Sequence, residues 1–397
     1  MKRLFLALLA ALLLCTLSAC GAPAPGGSLS SGVEPGQSQN PAASSAASGS
    51  ENPDPVPEDL PEKIMSQMTL EEKVGQLFFV RCPEDHALED VSTYHLGGYL
   101  FFGRDFKDRT ANDVIQTIAA YQDAAGVPLL TGVDEEGGTV VRISSNPHLR
   151  SAKFPSPQKL WADGGMDAII WNTTEKDRLL SALGINVNFA PVADVSTDPS
   201  DFIYPRAFGQ DAAATADYVG TVVQTMNTDG MGSVLKHFPG YGNNADTHTG
   251  IAVDSRPMET FESSDLLPFQ EGAGASDGKT AILVSHNIVQ AMDGTLPASL
   301  SPAVHQLLRE RLGFDGVVMT DDLAMDAVAA YSADGAVAVM ALQAGNDIVI
   351  TTDYRTQIPR VIQAAEDGTL EESAIDAACR RVLTWKQSLG LLDNWNP

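Results

Sequence analysis

Charged and imidazole side chains recur in this chain directly after short apolar runs. Asp134-Glu135-Glu136-Gly137-Gly138, with Arg142 further on, follows one run, and Asp194 follows another that ends at Pro191. A third run passes into Lys236-His237-Phe238-Pro239-Gly240-Tyr241-Gly242 and then Asp246-Thr247-His248. Two more end in Ser285-His286-Asn287 and Thr320-Asp321-Asp322. Carboxylates beside imidazoles can supply a nucleophile, a proton donor and a group that orients the donor. An Asp is ionised near pH 7 and can attack a cationic carbon centre, whereas His takes up and releases a proton near neutrality. Asp246 precedes His248 by two residues, so a local turn lets it set the imidazole tautomer. Gly240, Gly242 and Gly250 mark this segment as a loop able to move. His237, His248 and His286 with Asp134 could be combined as a zinc set, but no His-Glu-x-x-His spacing occurs and Lys236 disfavours a cation. No metal is therefore expected.

These residues need a frame that brings distant segments together. The apolar runs read as strands over residues 76–80, 99–102, 128–133, 186–191, 233–238, 281–285, 316–320 and 347–350. Amphipathic or Ala-rich stretches between them read as helices, among them 110–125, 211–229, 301–312 and 333–344, with a last helix over 371–389 opened by Thr369. Thr69 with Glu72 three residues on, and Ser301-Pro302, have the form of helix starts. Several strands are apolar on both faces, as in a parallel sheet covered by helices. Eight such units in residues 61–397 predict an α/β fold of the (β/α)8 TIM-barrel type, an open doubly wound sheet being the alternative. Barrel active sites are built from the C-terminal strand ends, where the charged groups fall. One Asp after a strand is more often a helix cap; five consecutive strand ends carrying such groups are harder to dismiss. No Gly-x-Gly-x-x-Gly follows the first strand and no Gly-x4-Gly-Lys-[Ser/Thr] occurs, so nucleotide readings lose their support.

The motifs then become specific. Residues 68–77 (Met-Thr-Leu-Glu-Glu-Lys-Val-Gly-Gln-Leu), Leu96-Gly97-Gly98, Val133 to Gly138, Asn188-Phe189-Ala190-Pro191-Val192-Ala193-Asp194, Arg206-Ala207-Phe208-Gly209, Lys236 to Gly240 and Thr320-Asp321-Asp322-Leu323-Ala324-Met325 span the body in order. Together they resemble glycoside hydrolase family 3, in its β-N-acetylglucosaminidase branch. The resemblance implies Asp321 as nucleophile, His248 as general acid/base and Asp246 as the carboxylate that orients it. It implies sugar-binding roles for Asp134, Arg142, Arg206, Lys236 and His237, and a binding or structural role for Asp194. Asp322 matches a supporting position, and no cofactor is required. The sequence departs from the branch at Tyr241, where His is usual, at Thr139, where Arg is usual, and in a loop shortened before Asp246. Larger family members carry a second α/β domain, for which the residues after the eighth strand leave no room.

Charge and the N-terminus bound the remaining possibilities. Lys+Arg is 25 against Asp+Glu 51, a formal charge of −26, which disfavours a nucleic-acid partner. Lys2 and Arg3 precede an apolar run over residues 4–17, and Leu17-Ser18-Ala19-Cys20-Gly21 resembles a bacterial lipobox. The run is shorter than the roughly 20 residues a spanning helix needs. Residues 1–19 are thus read as a lipoprotein signal peptide and Cys20 as the lipidated first residue, an anchor to the membrane on its outer side. Pro, Gly and Ser make up 21 of the 40 residues from 21 to 60, a composition that cannot bury a core. Residues 20–60 read as a flexible linker reaching about 30–40 Å. Cys82 and Cys379 read as two buried thiols, and Asn172-Thr173-Thr174 as a surface turn matching a glycosylation acceptor. Three functions follow. The first is a retaining exo-β-N-acetylhexosaminidase acting on peptidoglycan or related glycan fragments. The second is a relative acting on β-glucosides or passing the sugar to phosphate. The third is a non-catalytic glycan-binding lipoprotein.

Overall fold

The computed structural model describes residues 59–244, 250–331 and 335–393. The expected signal peptide, Cys20, nearly all of the linker, and both Asp246 and His248 lie outside the described residues.

Eight parallel strands form the frame: β1 (Phe78–Arg81), β2 (Gly98–Phe101), β3 (Leu130–Val133), β4 (Val187–Asn188), β5 (Gly232–Phe238), β6 (Thr280–Val284), β7 (Val318–Thr320) and β8 (Val349–Thr351). Each pairs with its neighbour in chain order from β1 to β7, and β8 returns to β1 with Phe78 opposite Val349. β7 meets β8 through a parallel bridge between Met319 and Ile348, which closes the ring into a (β/α)8 barrel. Except at Arg81 every strand residue is buried, as expected of a parallel sheet with helices outside and side chains within. All eight expected strands are present with shifted ends. The fourth shrinks to two residues, because Pro191 closes the run and carries no N–H for a ladder. The first runs one residue further than expected and takes in Arg81.

Glycine makes room inside the barrel. The Phe79 and Phe189 rings meet edge-on with centroids 5.4 Å apart. A Cβ on Gly132 would stand 2.5 Å from Cζ of Phe79 and 2.7 Å from Cε2 of Phe189, so only glycine admits both rings at this point of β3.

The helix starts follow local chemistry. Thr69 Oγ1 accepts from the Glu72 N–H at 3.3 Å, and the Glu72 carboxylate takes the Thr69 N–H at 2.8 Å. Ser301 caps Pro302–Gln306, beyond which the helix widens into a π turn over Leu307–Arg311. Two expectations are corrected. The last helix is Glu372–Ser388 with Glu371 at its N-cap. Thr369 instead gives its backbone N–H to the Asp367 carboxylate at 3.0 Å, a local turn that competes with capping. Asn172 and Thr173 are buried within the helix Pro157–Ala182, where they line a small internal space together with Tyr218, Val222 and Met226 of Ala212–Asp229, rather than in a surface turn. Cys82 and Cys379 are free and buried, as expected. Among the described residues no helix is long and apolar enough to cross a membrane.

Candidate active site

A cavity of about 400 Å³ opens at the C-terminal ends of the strands. Asp134, Arg142, Arg206, Lys236, His237 and Asp321 all line it, so six of the expected site residues, drawn from four separate segments, converge on one space. Leu100, Phe189, Leu283 and Ile350 give it an apolar lining from the strands below.

One wall is a network of charges. Lys236 Nζ lies 2.7 Å from Asp134 Oδ1 and 2.7 Å from Glu136 Oε1. Arg206 grips Glu136 with two nitrogens, Nε to Oε2 at 3.0 Å and Nη2 to Oε1 at 2.7 Å. Burial opposes ionisation of Glu136, but the charges of Arg206 and Lys236 outweigh it and hold the carboxyl well below the usual carboxylate range. Burial likewise works against the Arg206 charge, and Glu136 more than restores it. Arg142 Nη2 reaches Asp134 Oδ2 at 3.4 Å. The loop carrying Arg142 is tied down by Glu135, whose carboxylate accepts from the backbone N–H groups of Arg142 (2.8 Å) and Ile143 (2.7 Å) and from the Ser144 hydroxyl.

His237 is held from both sides. Its Nδ1 lies 2.7 Å from Asp194 Oδ2, and its Nε2 lies 3.2 Å from Arg206 Nη2. Asp194 is fully buried and does not line the cavity, so its contribution passes through His237 and through the Tyr241 N–H that it accepts at 2.7 Å. Tyr241, the departure noted in the sequence, is buried against Phe202 and edge-on to His237, with ring centroids 5.7 and 5.4 Å away. Its ring thus packs between Phe202 and His237, both of which line the cavity.

Asp321 sits just past β7. Its backbone N–H donates to the Val284 carbonyl at 3.0 Å, which fixes it to β6, and its Oδ1 accepts from the Asp322 N–H at 2.8 Å. Asp322 turns its carboxylate to the Ala324 N–H at 2.9 Å and its carbonyl to His286 Nε2 at 3.0 Å. Burial raises the Asp322 pKa, the Ala324 N–H lowers it, and the charge of Asp321 raises it again. A strand-end carboxylate this firmly tied, with cations across the cavity, can serve as a positioned nucleophile.

Residues not singled out from the sequence also line the cavity: Arg81, Phe102, Phe202 and Met325. Arg81 carries the same strand-end signal as the others, since it directly follows the apolar run 76–80. The aromatic positions had no such signal, and Met325 was visible only as the last residue of the Thr320–Met325 motif. Among the described residues no group of three or more His, Cys, Asp or Glu side chains is placed to hold a metal ion.

Comparison with known proteins places this arrangement. The family described as "Glycosyl hydrolase family 3 N terminal domain" matches residues 69–385. The chain is similar to beta-hexosaminidase LpqI of Mycobacterium tuberculosis, with 33% identity over 364 residues that cover 87% of this chain and 92% of that protein. Among solved structures it is similar to a glycoside hydrolase family 3 beta-N-acetylglucosaminidase from a Paenibacillus species (TM-score 0.76, 30% identity, 83% of this chain), spanning 64% of that longer chain. It is also similar to a beta-N-acetylhexosaminidase from Beutenbergia cavernae, with a TM-score of 0.71 and 30% identity over 81% of this chain and 99% of that one.

Proposed function

This chain belongs to glycosyl hydrolase family 3, and from that membership we propose that it is a retaining exo-β-N-acetylhexosaminidase that removes terminal N-acetylglucosamine from peptidoglycan or related glycan fragments. The observation that carries this reading is the placement of Asp321 in one cavity with Asp134, Arg142, Arg206, Lys236 and His237. Lys236 and Arg206 already have their charges compensated by Asp134 and Glu136. They therefore suit a neutral sugar, offering fixed N–H donors to hydroxyls, while Asp134 accepts from them.

In the first step the Asp321 carboxylate attacks the anomeric carbon while the bond to the leaving oxygen breaks, and His248 gives that oxygen its proton. The product is a glycosyl ester on Asp321 and a neutral imidazole on His248. In the second step His248 takes a proton from water, whose oxygen attacks the anomeric carbon and releases Asp321, so the configuration is retained. Asp246 orients His248 and stabilises its charged form. The roles of Asp246 and His248 rest on the Asp246-Thr247-His248 motif in a family 3 chain, and that of Asp321 on its motif and its place after β7.

The lipobox-like segment ending at Cys20 supports an extracytoplasmic location, anchored to the cell membrane through a lipid on Cys20, with residues 20–60 as tether and residues 61–397 as the catalytic barrel. The test uses the full chain with 4-nitrophenyl β-N-acetylglucosaminide and the matching β-glucoside, with and without phosphate, beside Asp321→Ala. Release from the first substrate, with retained configuration and loss in the variant, is the expected result. Preference for the glucoside would reassign the sugar, a sugar phosphate product would make the enzyme a phosphorylase, and binding without turnover would leave a glycan-binding protein.

A further inference from the structure

Lysine is seldom buried, yet Lys176 lies within the helix Pro157–Ala182 with only 7% of its surface exposed. Its Nζ has one hydrogen-bond partner among the described residues, the main-chain carbonyl of Glu136 at 3.0 Å. The ring of Phe154 lies beside the amine, with Nζ 5.6 Å from the centroid. Burial lowers the Lys176 pKa, and the carboxylates of Glu135, Asp177 and Glu136 work against that loss of charge. An ammonium is an unfavourable filler for a helix face turned to the core. An apolar side chain of the same length packs there without giving up hydration. Packing therefore does not account for a lysine at this position, and what it holds has to.

Glu136 is the residue on which Arg206 and Lys236 meet. Its carboxylate reaches both only while its main chain is held, and the chain turns sharply just beyond it. Gly137 and Gly138 have φ of 102° and 65°, and a Cβ on Gly137 would stand 2.2 Å from the Pro155 carbonyl oxygen. On the other side, Asn188 of β4 fixes Glu135: its Oδ1 accepts from the Glu135 N–H at 3.0 Å and its Nδ2 donates to the Glu135 carbonyl at 3.2 Å. The next carbonyl, that of Glu136, lies past the end of β3 and takes the Lys176 ammonium. A buried carbonyl needs such a donor. Charge adds to this tie. Glu135 and Glu136 are adjacent buried carboxylates, and that of Glu135 is held by backbone N–H groups and a hydroxyl. Lys176 brings a positive charge close to both.

We propose that Lys176 is a positioning residue of this site: its ammonium fixes the Glu136 main chain so that the Glu136 carboxylate holds Arg206 and Lys236 where a sugar meets them. This inference rests on the glycosidase reading of the same cavity. Lys176 does not line that cavity, so it acts through Glu136 and touches no substrate. Arg206 and Lys236 hold the sugar before and during the reaction alike, so loosening them weakens binding and leaves the turnover of bound substrate little changed.

The test compares the full chain with Lys176→Met, which fills the same volume without charge or donor, and with Lys176→Gln, which keeps an N–H donor on a shorter arm. Steady-state kinetics on 4-nitrophenyl β-N-acetylglucosaminide are read beside denaturant unfolding. In Lys176→Met the KM should rise about tenfold with kcat within about twofold of wild type, and Lys176→Gln should fall between. The unfolding midpoint of Lys176→Met should hold or rise, because a buried charge has gone and the volume is kept. That split between binding and stability is what a merely structural lysine does not give. An unchanged KM in the folded variants overturns the proposal, and so does a midpoint that falls in step with activity. Should Lys176→Met not fold, the same measurements on Lys176→Gln decide. If the wild type cleaves nothing, the glycosidase reading fails by itself. Crystal structures of the variants then judge Lys176: Arg206 should lose its two-nitrogen grip on Glu136, and an unmoved grip refutes the positioning role.

Discussion

Asp194 holds His237 through two contacts: its Oδ2 lies 2.7 Å from the ring Nδ1 and 3.2 Å from the backbone nitrogen of the same residue. The other ring nitrogen faces Arg206 Nη2 at 3.2 Å, and a guanidinium only donates. Nε2 is therefore the acceptor, Nδ1 carries the proton, and Asp194 receives it. An amide in place of this carboxylate must turn its NH2 toward either the His237 donors or the Tyr241 N–H now accepted by Oδ1 at 2.7 Å. Asp194→Asn thus leaves a buried donor unmade, which costs about 1–3 kcal/mol, or roughly tenfold to a hundredfold in kcat/KM. The loss should fall mainly on KM, since His237 lines the cavity proposed to hold the sugar. Wild-type kinetics in this variant would show that Asp194 does not set the tautomer.

Arg256 links the two sides of the segment that carries Asp246 and His248. Its Nη2 donates to the Gly240 carbonyl at 3.3 Å and to Asp254 Oδ2 at 2.7 Å, and its Nη1 lies 2.9 and 3.1 Å from the two oxygens of Asp265. Gly242, at φ 53°, sits so close that a Cβ would stand 2.4 Å from the Arg256 Cζ. Burial pushes the Asp265 carboxyl up to about 6 even with Arg256 opposing it. In the native protein that group binds its proton more tightly than in the unfolded chain, so ionising it as pH rises through about 6 takes stability away. Arg256→Ala leaves two buried carboxylates unpaired and should cost about 3–5 kcal/mol at pH 8. As pH falls toward 5 the orphaned Asp265 carboxyl takes up its proton in the folded state, and the gap to wild type narrows. Denaturant titrations at both pH values check this, and a gap that does not change with pH would exclude a charge clasp.

Much of this was readable in the sequence, for identifiable reasons. The eight strands stood out because parallel strands buried on both faces form continuous apolar runs, and the site residues because they follow those runs. Lys236, His237 and Asp321 were placed at strand ends by position, and their roles came from the family resemblance. The partners that organise them were not. Glu136 was visible only as one carboxylate in a run of three, and nothing local says that it faces Arg206, 70 residues away. The support that Asp194 gives His237 is likewise a long-range contact. Thr369 misled because a Thr before a helical stretch can cap it or close a turn with Asp367, and the choice lies in the backbone path. Asn172 misled because a polar triplet says nothing of the face it occupies on a long helix. Arg81 stands directly after its apolar run, as Asp134 and Asp321 do after theirs, and was passed over although it carried the same signal.

Lys386 is fully buried in the last helix, its Nζ donating to Gln76 Oε1 at 2.6 Å, and burial pushes its pKa down to about 7. Between about 7 and the ordinary lysine value the unfolded chain holds a proton that the native protein has released, so this group makes stability rise with pH over that window. Lys386→Met removes the effect. Relative to wild type, the variant's unfolding free energy should fall by about 1–3 kcal/mol between pH 7 and pH 10. Parallel wild-type and variant curves over that range would show that Lys386 stays protonated in the folded barrel.

The thiols give a direct test of the N-terminal reading. Burial pushes both Cys82 and Cys379 up to about 12, so neither presents a reactive thiolate near neutrality while the barrel is folded. Protein purified from the membrane of a bacterial host should therefore show no thiol reacting with an aromatic disulfide reagent under native conditions. In denaturant the count depends on what happened upstream. Removal of the signal takes Cys15 with it, and a thioether-linked lipid blocks Cys20, so only the two barrel cysteines should react. Three reacting thiols would mean either cutting without lipid attachment, leaving Cys20 free, or lipid attachment without cutting, leaving Cys15 free, and the intact mass separates the two. Four thiols, or three with the signal removed, would take the lipid anchor out of the proposed function while leaving the barrel chemistry untouched. Rapid labelling before denaturation would contradict the burial of Cys82 and Cys379.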